Sequence, residues 1–193
     1  MADRQSRVAI YKVSIVAACC FSLLILSVIF LRSGSWADGT KSLVAVGFCC
    51  FGLAHLLFLV LLFRAWSLIQ DEETATTPRK AVGFLLIPIF NVYWAFKALP
   101  GFAFEFNAYV DRHRLPLRRN ESGLFMLMPV YGILGSLAEM LARILPMLSI
   151  LGLLILALYV EAMCFAAVEL ADVLDTLPST SLAYDRATGR GVE

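Results

Sequence analysis

Charge of either sign is scarce in this chain. Lys and Arg number 16 and Asp and Glu 15 in 193 residues, a net charge of +1. So even a balance excludes a bulk electrostatic pull toward nucleic acid, and no nucleic-acid partner is expected. Histidine is scarcer still, with His55 and His113 alone, and neither has an HxxxH or HExxH companion to build a metal site. The five cysteines all sit inside apolar runs and form no CxxC pair. That excludes the disulfide framework of a small secreted domain and leaves cysteine as a small buried hydrophobe. No Gly-x-Ser-x-Gly elbow, Ser/His/Asp grouping or phosphate-binding loop is present, and Gly189-Arg190-Gly191 is too short a signal for one. The sequence therefore gives no reason to expect an enzyme or a cofactor.

Apolar residues are abundant instead. They make up 60% of the chain, against about 45–50% in a soluble domain, and the mean hydropathy is +0.80. A chain this short has no core large enough to bury that surface, so lipid is the expected solvent. Blocks at about residues 8–31, 43–63, 123–141 and 147–170 approach or exceed the roughly 20 apolar residues a spanning helix needs. The first is too long for a signal peptide and has no good small-x-small cleavage site behind it. The expected fold is an all-α integral membrane helical bundle with four transmembrane helices. Residues 176–193 are polar and rich in small side chains, and read as a flexible tail.

A fifth apolar block, residues 81–99, is interrupted by Pro88 and Asn91. Proline removes a backbone donor and disfavours helix at the residue before it. The break suits a re-entrant or interfacial element, followed by an amphipathic stretch over 101–113. If 81–99 crossed the membrane, giving five spans, only seven of the 16 basic residues would lie inside with the N-terminus. If it enters and leaves on one side, thirteen lie inside, and only Arg32, Lys41 and Arg143 lie outside. The positive-inside rule favours four spans with both termini cytoplasmic.

The stretch from Pro78 to Leu99 carries AVGFLLIPIFNVYW at its centre. It resembles an uncharacterised family of bacterial multi-span membrane proteins with a GKAVGF-x-FIP-FFN-x-YW core, some of whose members resemble fusions to a GYF-like domain. Arg79 stands where that family tends to have glycine. The resemblance covers roughly the second half of the chain and implies a bacterial inner (cytoplasmic) membrane protein. It implies no activity.

Four residues stand out as candidates for function. Pro88 and Asn91 mark a helix break whose freed backbone groups can meet an ion or substrate. Glu161 lies within the last span, where an ionisable side chain is a functional hypothesis by default. On a helix, Glu169, Asp172 and Asp175 fall at about +80°, +20° and −40° from it, one acidic stripe. His55 lies within the second span. The basic cluster Arg112, Arg114, Arg118 and Arg119 is expected to face anionic lipid. The favoured function is a non-enzymatic scaffold or accessory subunit of a membrane complex, with membrane lipid and a second copy or a membrane protein as partners. The alternative is a small oligomeric channel or transporter built on the Pro88–Asn91 break and the Glu161 stripe.

Overall fold

The computed structural model describes residues 38–142, 144, 145 and 148–188, and the regular elements among them are all helical, with no strand. Helix α1 is Asp38–Leu68 and α2 is Pro78–Gly83. A 3-10 turn, Phe84–Leu86, leads into α3, Pro88–His113. Helices α4, Ser122–Ala142, and α5, Leu148–Thr188, complete the order. The expected first span, 8–31, lies outside the described residues.

Among the described residues, two stretches are long and apolar enough to cross a membrane, Phe51–Leu68 in α1 and Leu151–Pro178 in α5, and Ser122–Ala138 in α4 is a shorter apolar helix. Their flanks expose leucine, valine and phenylalanine, among them Leu53, Val60, Leu134, Leu154 and Phe165. Bare apolar flanks around a packed centre suit an apolar solvent.

The break at Pro88 takes a form that differs from a kink within a block. Thr77 caps α2, its hydroxyl accepting from the Lys80 N–H at 3.4 Å, and Pro78 fills the first turn, where its missing donor costs nothing. After the 3-10 turn, Ile87 is extended (φ −89°, ψ 112°), the conformation favoured before a proline. Pro88 then opens α3, and the Asn91 N–H donates to the Ile87 carbonyl at 2.7 Å as an early bond of the new helix. The chain doubles back here. Trp94 Nε1 donates to the Ala81 carbonyl at 3.0 Å, and Phe84 packs edge-on against Trp94 with centroids 4.8 Å apart.

Two boundary expectations are corrected. The stretches 81–99 and 101–113 are not separate elements, because α3 runs unbroken through Pro100 to His113. Ala98, Leu99, Phe102, Ala103 and Phe106 are all buried, so packing on both sides holds the helix across the proline. The polar tail, expected to be loose from residue 176, stays helical to Thr188 with Pro178 inside it.

The core sits between the C-terminal half of α1, α3, the start of α4 and α5. Trp66, Phe102, Phe106 and Phe125 are fully buried there, with Leu62, Ile69 and Leu170. Phe102 is the hub, 5.7 Å from Trp66 in an edge-on arrangement, 5.8 Å from Phe125 and 6.2 Å from Phe106. Aromatic pairs in such geometries contribute about 0.5–1.5 kcal/mol each beyond area burial.

Candidate functional site

Beside this core, at one end of the bundle, lies a polar clasp. Arg112, in the last turn of α3, directs both Nε (3.0 Å) and Nη2 (2.7 Å) at Asp71 Oδ2, just past the end of α1. The side chains are 25% and 19% exposed, shielded enough for the pair to hold position. The Thr74 hydroxyl donates to the other Asp71 oxygen at 2.6 Å, and the Glu73 N–H adds a bond at 3.2 Å. The Thr74 hydroxyl and then the Arg112 guanidinium hold the Asp71 carboxyl down at about 2, against partial burial, which pushes it up. Asn107 and Asn120 exchange side-chain and main-chain bonds of 2.9 and 2.8 Å, pinning the linker between α3 and α4.

The clasp ties together the two ends of residues 71–112, whose fold-back point is Ile87–Pro88. That tip is bare: Ile89 is 91% exposed, and Leu86, Ile87, Val92 and Tyr93 are exposed as well.

Among the described residues, three of the four arginines expected to face lipid, Arg112, Arg118 and Arg119 but not Arg114, have carboxylate partners within the chain. Arg112 is spent on Asp71, Arg119 pairs with Asp111 at 2.8 Å, and Arg118 reaches Glu121 at 3.9 Å. Arg114 occupies the left-handed C-cap of α3 with φ 51°. The exposed pairs are worth about 0–1 kcal/mol and exchange partners readily. Arg112 is a structural tie.

His55 lies on α1 eleven residues before Trp66, about 16 Å up the helix axis at 1.5 Å per residue. Its Nδ1 is 3.1 Å from the Phe51 carbonyl one turn back, which assigns the ring proton to Nδ1. Nε2 is then an acceptor, and it takes the Tyr159 hydroxyl of α5 at 2.7 Å. The two rings lie nearly parallel, at 10°, with centroids 5.7 Å apart. Gly132 of α4 faces the pair: a Cβ there would sit 3.5 Å from Tyr159 Cε2, an ordinary contact distance.

This pair borders a cavity of about 500 Å³ between α1, α3, α4 and α5. Its walls are mostly apolar, with Leu59, Leu99 and Met128 among them, and Asn91 and Ser136 add polar groups. Of the residues singled out from sequence, His55 and Asn91 therefore meet at one cavity. Pro88 places Asn91 there by opening α3 one turn earlier. Glu161 does not join them. It is exposed, and two residues beyond Tyr159 means about 200° around α5, the opposite face.

Sequence reasoning missed Tyr159. A signal existed: His55 and Tyr159 each lie twelve positions past the first residue of their apolar blocks (43 to 55, 147 to 159). Parallel helices with polar side chains at equal depth are placed to pair. Among the described residues, no group of three His, Cys, Asp or Glu side chains converges as a metal site. No family model matches the chain, and no curated protein or solved structure matches it either.

Proposed function

We propose that this chain is a multi-pass protein of the bacterial inner membrane, with four spans and both termini cytoplasmic. In this reading residues 71–112 form a re-entrant hairpin that dips into the bilayer and returns. The motif likeness around Pro88 favours the same bacterial membrane family. The observation that carries the reading is the Asp71–Arg112 clasp, which closes at 2.7 Å a hairpin whose bare tip includes Ile89. A segment whose ends meet at one polar level, with an exposed apolar turn between them, fits a membrane dip better than a crossing.

The function we propose is a non-enzymatic scaffold or accessory subunit. The polar contacts described above hold shape: the clasp, the Asn107–Asn120 exchange and the His55–Tyr159 pair all join one element to another. The wide apolar flanks of α1 and α5 then serve contact with lipid, a second copy or another membrane protein. Copurification from mild detergent tests this reading. A stable stoichiometric complex or homo-oligomer supports it, and a lone monomer at all detergent concentrations counts against it.

The transporter alternative draws support from the cavity. In one copy, however, Asn91 and Glu161 face different sides of the bundle, so a shared pathway needs a second copy. Reconstituted vesicles showing proton or ion flux that Glu161→Gln abolishes would favour it over the scaffold.

A further inference from the structure

We propose that the cavity behind His55 and Tyr159 binds an uncharged, hydroxyl-bearing lipid of the acylglycerol class, entering sideways from the bilayer.

The volume of about 500 Å³ lies within the range of about 300–1,000 Å³ typical of small-molecule sites. Its chemistry narrows the occupant. No Asp, Glu, Lys or Arg is among the lining residues, so a carboxylate or phosphate head would find no counter-charge there. The polar groups present are specific. The Tyr159 proton is committed to His55 Nε2, which leaves the phenol oxygen as an acceptor for an incoming O–H. Asn91, on the first turn of α3, supplies amide N–H donors to a carbonyl oxygen. A hydroxyl near an ester carbonyl satisfies both. A free fatty acid brings charge, and a quinone brings two acceptors and no donor.

The mouth fixes the route of entry. Val92 on α3 and Leu137 and Met140 on α4 line the cavity and are also exposed, so it opens between two apolar helix faces. Such an opening faces acyl chains. Phe58, Leu99 and Met128 on the inner walls are apolar and buried, which suits a hydrocarbon chain behind the head.

This site rests on the membrane placement proposed above, but its test does not. The full chain is purified in detergent micelles and exposed to a diazirine-bearing diacylglycerol, and adducts are mapped by mass spectrometry. We expect adducts on residues 91–99 and 128–140, displaced by unlabelled diacylglycerol and not by fatty acid or a quinone analogue. Asn91→Leu, a change at an exposed helix position, should weaken binding about three- to tenfold, as one lost hydrogen bond does. Ala95→Trp fills the cavity and should abolish labelling. If that protein fails to fold, Ser136→Leu, on the exposed side of α4, narrows the same space. Adducts spread over the outer flanks, labelling unchanged in both Asn91→Leu and the filled variant, or better displacement by fatty acid or quinone would each overturn the proposal. Labelling at the cavity in a chain whose topology proves different would keep the site and reject only the membrane reading.

Discussion

The two ends of this bundle are built on opposite terms. Around Phe102 the interior is apolar and closed, with aromatic rings filling the space between four helices. Around His55 the same helices stand apart, and a polar pair borders a cavity of about 500 Å³. The difference follows from residue size. Trp66, Phe102, Phe106 and Phe125 converge at one level, whereas Gly132, Ala95 and Ser136 face the space at the other. The first region fixes the architecture, and the second is where a partner of small size can be held.

That contrast makes its strongest prediction at the hub. Phe102→Ala should destabilise the protein by about 3–5 kcal/mol, because the ring is fully buried and its neighbours cannot collapse into the gap. Thermal unfolding in detergent reads this as a large drop in Tm. A loss under 1 kcal/mol would mean the core is as loose as the cavity.

The clasp comes next. Asp71→Ala removes bonds to Arg112, Thr74 and the Glu73 N–H, and should cost about 1–3 kcal/mol. Its pH dependence has a definite sign. The folded carboxyl is held at about 2, below its ordinary value of 3.8. Its contribution is therefore complete above about pH 4 and is lost as pH falls through 2. The gap in Tm between Asp71→Ala and the parent chain should close across that window. A gap that stays constant to pH 2 would show that the carboxylate is not stabilised by folding.

At the cavity the effects shrink. His55→Leu removes a neutral hydrogen bond at the edge of existing space, and should cost about 0.5–1.5 kcal/mol. A loss as large as that of Phe102→Ala would make His55 part of the core. Gly132→Ala should be smaller and opposite in sign, raising stability by about 0.5–1 kcal/mol through helix propensity. The new methyl meets Tyr159 at ordinary contact distance, 3.5 Å, so nothing has to move. A drop in Tm would mean the cavity walls are tighter than their spacing suggests.

Much of this was legible in the residues. The apolar blocks at 43–63 and 123–141 fall within α1 and α4, and residues 148–170 of the last block fall within α5, because about twenty apolar residues in a row fix helix class. The interruption at Pro88 was legible too, but not its form. Proline at the first turn of a helix and proline in a kink look alike until the next element is known. The expected boundary between 81–99 and 101–113 falls at Pro100, yet the buried side chains around it keep α3 whole. The arginine cluster was visible as charge, while the pairing of Arg112 with Asp71 spans 41 residues of sequence and depends on the fold-back at Ile87. Tyr159 was hidden for the same reason. Its partner lies 104 residues away, and only equal depth in two helices links them.

The central claim is that residues 71–112 leave one side of the membrane and return to it. Single cysteines at Thr76, Ile89 and Arg118, in a chain whose five native cysteines are replaced by alanine, test it with a membrane-impermeant thiol reagent on oriented vesicles. The account predicts that Thr76 and Arg118 label from the same, cytoplasmic side, and that Ile89 labels from neither until detergent is added. Labelling of Thr76 and Arg118 from opposite sides would contradict it.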